Sequence, residues 1–223
     1  MRTPLGDVAV IFDLDGTLID TAADLAASMN HVLERAGRTP VPLDRVRHLV
    51  GHGARAMLER GFRENGGAAP VDLGPHVALF LEHYLAHIAD QSRPFPGALE
   101  ALDALGADGA AIAICTNKRE AWARALLEAL GLSARFAAVV GADTTAAAKP
   151  NPRPVFAALA GTRRAKGVFV GDSDTDIRAA KAAGMPCIAA LFGYGPLDLS
   201  GEAFGVFSAY ADAPELIRRA AIL

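Results

Sequence analysis

The chain has 223 residues, of which 52% are hydrophobic and 6% aromatic, and its formal net charge is −3. This length suits one large α/β domain, with or without a smaller insert, and the apolar content is ample for a core. The slight negative charge argues against a broad nucleic-acid or anionic-membrane surface. No apolar run approaches the roughly 20 residues of a membrane-spanning helix.

Cysteine usage and the first residues predict a soluble, cytoplasmic protein. Cys115 and Cys187 both lie in short apolar runs, and two such thiols do not form a disulfide framework, which indicates a reducing compartment. The opening residues carry one positive charge and lead into an apolar run without a signal-peptide pattern.

The first predicted strand, Val8 to Phe12, runs directly into FDLDGT at residues 12–17. Alternation along an extended strand end places Asp13 and Asp15 on one side of the chain. Gly16 then lets the backbone turn, so that neighbouring amides face an anion. A turn rich in Asp and Gly after a strand is the structural alternative.

Residues 20–92 contain several helical patterns and no convincing strand, which predicts a helical insert. Asp20 and Thr21 are expected to cap its first helix, and breaks follow at 37–42 and 65–70. The proline-rich RPFPG at 93–97 predicts a stiff linker back to the core. The apolar face of the first helix comprises Leu25, Met29, Val32 and Leu33.

The GHGARA segment at 51–56 lies inside this insert. It matches a G-x-G-x-x-A dinucleotide pattern, but no strand precedes it, so we interpret it as a loop that starts a helix. Gly51 and Gly53 would let that loop approach a small substrate, with Arg55 binding a carboxylate. A solvated helix face is the alternative for Arg55.

The second strand, Ala110 to Cys115, is followed by Thr116, Asn117 and Lys118. Thr116 and Asn117 can donate hydrogen bonds to an anion, or cap the next helix. That helix is indicated by the helical spacing of its large apolar residues, with Gly131 as its end. These residues are Trp122, Leu126, Leu127 and Leu130.

The third strand, Ala137 to Val140, precedes AAAKPNP at 146–152. Lys149 is the only charge in this small-residue loop, and Pro150 and Pro152 stiffen the backbone around it. A phosphate-binding lysine and a solvated loop lysine are the two interpretations.

The fourth strand, Val168 to Val170, ends in a cluster formed by Asp172, Asp174 and Asp176, and a fifth strand follows at 187–191. Three acids this close repel one another without a cation. Carboxylate and water oxygens suit Mg²⁺. Helix capping and the helix dipole account for one or two of the acids but not for all three.

Continuous apolar strands alternating with helices predict an α/β fold with a doubly wound parallel sheet. We expect a core of residues 1–19 and 93–223, with a helical cap at 20–92. Ligands of such sheets bind beyond the carboxyl ends of the strands, where all four polar clusters lie.

In this order, the four clusters resemble those of the haloacid dehalogenase superfamily. The resemblance implies a Rossmann-like core and a Mg²⁺-dependent phosphatase. In it, Asp13 is the nucleophile and a metal ligand, and Asp15 is the general acid–base residue with its carbonyl on the metal. Asp172 is the third metal ligand, and Asp176 orients metal-bound water. The implied phosphate-binding groups are Thr116, Asn117 and Lys149.

A finer resemblance is to the phosphoglycolate phosphatase branch, carried by LIDTAADLAASMN, VGHGARAMLERGF, VVGADT and GDSDTDIRAAKAAG. It implies that 2-phosphoglycolate is converted to glycolate and phosphate. The segment LFGYGPLDLSGEAF at 191–204 departs from that pattern.

Several alternatives stay open at this point. A phosphatase of another small phosphometabolite or sugar phosphate, or a phosphomutase, shares every motif. A dehalogenase has no need of an acid such as Asp15, and a non-catalytic binding protein has no need of the complete acidic set. His83 and His87 have a spacing that zinc uses, but no third ligand is evident. The partner is expected to be a small phosphomonoester, and the chain a monomer or homodimer.

Overall fold

A computed structural model describes residues 4–51, 53–64 and 67–222. His52 of the predicted loop, the start of the break at 65–70 and the extreme ends of the predicted core lie outside these residues. The main sheet strands are β1 (Val8–Phe12), β4 (Ala111–Cys115), β5 (Ala138–Val140), β6 (Lys166–Gly171), β7 (Cys187–Ala190) and β8 (Gly205–Phe207). They form a six-stranded sheet in the order β5-β4-β1-β6-β7-β8, with every pair parallel.

Two further strands, β2 (Ile19–Asp20) and β3 (Arg93–Pro94), pair antiparallel and enclose four helices. We call these four the helical insert: α1 (Ala22–Arg35), α2 (Leu43–Arg47), α3 (Ala54–Glu64) and α4 (Gly74–Ala86). The other helices are α5 (Ala98–Ala107), α6 (Glu120–Ala129), α7 (Arg153–Thr162), α8 (Asp174–Ala182) and α9 (Ala213–Ala220). Short 3₁₀ turns lie at Ser133–Arg135, Ser200–Glu202 and Tyr210–Asp212.

Helices cover both faces of the main sheet. Along β1, Val10 and Phe12 pack into the cluster that contains α5, α6 and α9, whereas Ala9 and Ile11 pack into the cluster that contains α7 and α8. A strand buried on both sides needs apolar residues at every position. The predicted doubly wound parallel sheet is therefore confirmed.

The start of the insert differs from the prediction in one respect. Thr21 occupies the N-cap position of α1, but its side chain makes no capping hydrogen bond. The Thr21 hydroxyl instead donates to Asp15 Oδ1 at 2.7 Å, and the Asp20 carboxylate accepts from the amide of Ala22 at 3.3 Å. Asp20 also belongs to β2, so the predicted insert begins inside a strand. The expectation that Thr21 caps the helix was wrong because a neighbouring carboxylate binds its hydroxyl.

A buried carboxylate fastens the two ends of the insert together. Asp24, on α1, accepts hydrogen bonds from the amides of Gln91 and Ser92 at 3.0 and 2.8 Å, and from the Ser92 hydroxyl at 2.6 Å. None of the helices within the described part of the chain is long and apolar enough to cross a membrane.

Candidate active site

The carboxyl ends of β1, β4 and β6 bring three of the predicted clusters together. The register of these parallel strands continues past their ends, because the amide of Asp13 donates to the carbonyl of Val170 at 2.8 Å. The amide of Thr116 similarly donates to Val140, at 2.9 Å. Backbone pairing therefore fixes the point at which each loop leaves the sheet.

Lys149 joins two acids at this edge. Its ammonium lies 3.0 Å from Asp13 Oδ1 and 2.6 Å from Asp176 Oδ1, and its side chain is 1% exposed. Burial alone would lower the pKa of Lys149, but the two carboxylates outweigh burial and raise that pKa. Lys149 is thus a fixed buried cation and not a solvated loop lysine.

Burial raises the pKa of Asp13 to about 7; Lys149 opposes this shift, and Asp176 and Asp172 add to it. Burial and the nearby Asp176 likewise raise the pKa of Asp172 to about 6. Three carboxylates lie together at this edge, whereas the only ammonium that contacts them among the described residues is that of Lys149. A divalent cation would relieve the excess.

The protein forms a tight cradle around Asp172. Its Oδ1 accepts from the Thr17 hydroxyl at 2.7 Å, and its Oδ2 accepts from the amides of Tyr194 and Gly195 at 2.7 and 3.3 Å. Gly16 has a φ of +83°, and a Cβ there would lie 2.6 Å from Asp172 Oδ2. The turn after β1 therefore requires glycine both for its backbone angle and for the approach of Asp172.

Three carboxylates meet closely enough to share a cation. Asp13, Asp172 and Asp176 each offer an oxygen, and these oxygens all lie within 4.8 Å of one another. An all-oxygen donor set of this kind fits Mg²⁺. The third acid of the sequence cluster, Asp174, instead accepts from the amide of Leu199 at 2.9 Å.

Asp176 has two roles at once. It forms a capping box with Ser173 at the start of α8, accepting from the Ser173 hydroxyl at 2.7 Å, while its other oxygen contacts Lys149. The helix-capping interpretation is therefore correct for Asp176, but it describes only one of the two carboxylate oxygens.

Asp15 lies beside a partner that the sequence analysis left without a role. Lys118 Nζ is 2.8 Å from Asp15 Oδ1 and 3.1 Å from Oδ2, and the Lys118 side chain is 5% exposed. Burial alone would lower the pKa of Lys118, but Asp15 outweighs burial and raises it. The position of Lys118 directly after Thr116 and Asn117 was the only signal that could have suggested this contact.

Asn117 and Thr116, the two polar residues that follow β4, form hydrogen bonds to the backbone of the two nearby lysines. The Asn117 side chain accepts from the backbone amide of Lys149 at 3.0 Å and donates to its carbonyl at 3.1 Å. Thr116 is buried, and its hydroxyl accepts from the amide of Lys118 at 3.2 Å. Asn117 thus holds the loop that presents Lys149, while Thr116 lies at the cavity surface.

A cavity of about 430 Å³ separates this edge from the helical insert. We call the side formed by Asp13, Asp15, Thr116, Lys149 and Asp172 the core wall. The opposite side, the insert wall, is mostly apolar and consists of Leu25, Met57, Val77, Phe80, Leu81 and Tyr84. Gly51, Gly53 and Arg55 extend the insert wall, and Arg55 is exposed in the first turn of α3.

The segment 191–204, which departs from the phosphoglycolate phosphatase pattern, contacts both the site and the insert through Tyr194. Besides binding Asp172 through its amide, Tyr194 donates its hydroxyl to Asp20 and accepts from the amide of Thr21 at 2.8 Å. Arg47 of α2 binds the same Asp20 carboxylate at 2.9 Å and lies over the Tyr194 ring. No sequence signal predicted this long-range contact.

The histidines, the cysteine and the glycine pattern that the sequence analysis did not assign to catalysis pack against other side chains or lie in turns. The ring of His83 stacks between those of His31 and His87, and its Nδ1 lies 3.1 Å from the Ser28 hydroxyl. Cys115 is buried within β4, and burial raises the pKa of its thiol to about 12. Helix α2 and a turn precede Gly51, so no strand leads into the glycine pattern.

Comparisons with known proteins agree with this geometry. The family model of haloacid dehalogenase-like hydrolases matches residues 10–190, a range that includes every core-wall residue. A phosphoglycolate phosphatase of Agrobacterium fabrum is 47% identical over 86% of this chain and 83% of its own length. One of Caulobacter vibrioides is 44% identical over 95% and 91%. A solved structure, described as a predicted phosphoglycolate phosphatase of Haemophilus somnus, has a TM-score of 0.86 and 27% identity over 97% of this chain and 99% of that one.

Proposed function

Since the chain belongs to the haloacid dehalogenase-like hydrolases and is a phosphoric monoester hydrolase, we propose that it hydrolyses 2-phosphoglycolate through an aspartyl-phosphate on Asp13. The observation that carries the mechanism is the position of Asp13 at the end of β1. There its carboxylate faces the cavity with Lys149 3.0 Å away.

In the first half-reaction, Asp13 attacks phosphorus in line, and the ester oxygen leaves as the phosphoryl group moves to the Asp13 carboxylate. Lys149 and the Thr116 hydroxyl neutralise or bind phosphoryl oxygens, as do backbone amides near Gly16. The Asn117 side chain holds the backbone of Lys149 by accepting from its amide at 3.0 Å and donating to its carbonyl at 3.1 Å. We also assign Asn117 a contact with the phosphate.

Asp15 acts as the acid and then the base. Asp15 enters the first half-reaction in its protonated form and gives that proton to the leaving alkoxide, and in the second half-reaction its carboxylate takes a proton from the water that attacks the aspartyl-phosphate. The products are glycolate, inorganic phosphate and Asp13 with its free carboxylate. Asp15 lines the same cavity as Asp13, which supports their action on one substrate.

The proposed metal is Mg²⁺, which Asp13, the Asp15 carbonyl and Asp172 would hold, while Asp176 would orient a water in its coordination shell. The carboxylate oxygens of Asp13, Asp172 and Asp176 lie within 4.8 Å of one another, which supports the choice of Asp13 and Asp172 as ligands with Asp176 beside them. When bound, Mg²⁺ supplies charge that stabilises the transferring phosphoryl group. Asp172 would keep its orientation through Thr17 and the Tyr194 amide.

We assign the helical insert, residues 20–92 in the proposed domain division, the role of a cap over the core of 1–19 and 93–223. A cap that closes over the cavity excludes bulk water and limits the size of the substrate. Arg55 would bind the substrate carboxylate from the insert side. The relatives named phosphoglycolate phosphatase support this choice of substrate.

Phosphate release from 2-phosphoglycolate, with and without Mg²⁺, tests the proposal. We expect turnover that stops in excess chelator and returns when Mg²⁺ is added. Full activity in chelator would refute the metal requirement. Wild-type protein that ignores phosphoglycolate but hydrolyses a larger sugar phosphate would refute the substrate while leaving the chemistry of Asp13 intact.

A further inference from the structure

Lys118 of the core and Tyr84 of the insert meet inside the cavity, and the mechanism above uses neither. Lys118 follows β4 in the core, and Tyr84 lies on α4 of the insert. The Lys118 ammonium lies over the Tyr84 ring, 4.8 Å from its centroid. Both residues line the cavity beside Asp15.

The Tyr84 hydroxyl is a buried polar group without an assigned purpose. Tyr84 is 1% exposed, and its hydroxyl oxygen lies near the Lys118 ammonium, which can only donate, so that no described residue accepts a hydrogen bond from the hydroxyl proton. Leaving such a group unpaired costs about 1–3 kcal/mol, which phenylalanine would avoid. A donor retained at this cost beside a cavity indicates a ligand that accepts from it.

Lys118 presents the matching charge. Its buried ammonium contacts Asp15 at 2.8 and 3.1 Å, and Asp15 also accepts from the Thr21 hydroxyl at 2.7 Å. A buried ammonium requires an anionic partner at all times. A ligand carboxylate next to Asp15 can take over that function and leave Asp15 to the ester oxygen.

We propose that Lys118 and the Tyr84 hydroxyl together bind the carboxylate of the substrate, and so select small phosphomonoesters that carry a carboxylate close to the ester oxygen. This inference rests on the proposed function. In phosphoglycolate a single methylene separates the ester oxygen from the carboxylate carbon. An ester oxygen at Asp15 therefore places the carboxylate beside the cation that contacts Asp15, which is Lys118.

Arg55 and Lys118, the two cations proposed to contact the substrate carboxylate, differ in exposure. Arg55 is exposed, so water screens its attraction for a carboxylate, whereas Lys118 is 5% exposed. A charge-assisted hydrogen bond from a buried ammonium discriminates more strongly than one from a solvated guanidinium. Tyr84 adds a contact from the insert, so the carboxylate would bridge the two walls.

Paired substrates give the decisive experiment. Ethyl phosphate keeps the carbon skeleton of phosphoglycolate but has a methyl group in place of the carboxylate. We expect the wild type to prefer phosphoglycolate in kcat/KM by at least about a hundredfold. Lys118→Met should reduce this preference by at least about tenfold, and more than Arg55→Ala does. Lys181→Met is the matched control, since Lys181 is 71% exposed and pairs with Glu202 on the surface.

Tyr84→Phe provides an independent variant that should fold, because it removes only the unpaired hydroxyl. We expect the preference for phosphoglycolate to fall by about threefold or more while Tm is unchanged or higher. Equal losses on both substrates together with a lower Tm would show that Tyr84 only packs, and would overturn its part in the site.

A Lys118→Met enzyme that keeps the wild-type preference would overturn the proposal as a whole. That outcome leaves the proposed function intact, because the wild type would still hydrolyse phosphoglycolate. Calorimetric binding of phosphoglycolate to Asp13→Asn protein gives a readout without turnover. Adding Lys118→Met to that variant should weaken binding by about tenfold, and unchanged affinity would count against the proposal.

Discussion

Behind the core wall of the cavity, glycines pack directly against carboxylates, whereas the glycines of the insert wall face open space. A Cβ on Gly193 would overlap with the Asp172 side chain, and one on Gly171 would overlap with Asp176. A Cβ on Gly51 or Gly53 would meet no atom within 4 Å. The core wall is thus closely packed around its charges, whereas Gly51 and Gly53 have free space beside them.

The charges of the two walls differ in the same way. Lys149 of the core wall and the neighbouring Lys118 are buried and paired with Asp13 and Asp15, while Arg55 of the insert is exposed. Positions held by several contacts suit a reaction that depends on geometry. An open, mostly apolar wall suits selection by shape. The comparison predicts that core-wall changes abolish catalysis and that insert-wall changes alter specificity.

The largest expected effect comes from Asp13→Asn. This variant keeps the shape of the side chain but removes the nucleophile, so kcat should fall by at least about a thousandfold with the fold intact by circular dichroism. Asp103→Asn, an exposed acid on α5, is the control and should leave activity unchanged. Near-normal turnover by Asp13→Asn would contradict the proposed aspartyl-phosphate mechanism.

A matched pair of glycine variants tests the packing difference itself. Gly193→Ala should displace Asp172, and we expect about a hundredfold loss of kcat/KM together with weaker Mg²⁺ binding. Gly53→Ala meets no atom, but Gly53 has a φ of +86°, so that variant should lose only about 1 kcal/mol of stability. Similar activity of the two variants would show that the core wall is not as rigid as described.

Arg55→Ala tests the specificity assigned to the insert. Kcat/KM for phosphoglycolate should fall by about tenfold or more, equivalent to about 1.4 kcal/mol of binding energy. Activity on para-nitrophenyl phosphate, which has no carboxylate, should hardly change. Equal losses on both substrates would mean that Arg55 acts on the phosphate or on the fold.

The smallest expected effect is the pH dependence of Mg²⁺ binding, which follows from the raised pKa of Asp13. Asp13 has a folded-state pKa raised from 3.8 to about 7, so the stability it contributes to the metal-free protein is present at low pH and is lost as pH rises through about 7. Mg²⁺ binds the ionised carboxylate, so its affinity should rise about tenfold from pH 6 to pH 8. Calorimetric titration at both values measures this rise, and a flat profile would contradict it. Asp13→Asn should show a shallower pH dependence.

The parts of the fold that sequence predicted best are those with a uniform environment. The continuous apolar run of β1, Val8–Phe12, predicted the strand to the residue because helices cover it on both faces. Strand β8, Gly205–Phe207, escaped prediction because it has only three residues at the edge of the sheet and Val206 is exposed. Such a strand depends on pairing with β7 and not on its own pattern.

For the site, the sequence predicted which strand ends converge but not which side chains touch. Asp13, Lys149 and Asp172 follow strands that parallel pairing brings to one edge. The contact of Lys118 with Asp15 and that of Tyr194 with Asp172 join residues 103 and 22 positions apart. No local pattern encodes such contacts, since they arise only when the loops are packed together.

Chemical trapping of the intermediate tests the central claim most directly. Wild-type protein is mixed with phosphoglycolate and Mg²⁺, quenched during turnover and treated with borohydride, which reduces an acyl phosphate to the alcohol. Mass spectrometry of the peptides should then find reduction at the Asp13 side chain, dependent on substrate and absent from Asp13→Asn protein. Turnover without any reduced Asp13, or with substrate-dependent reduction at a different acid, would contradict Asp13 as the nucleophile.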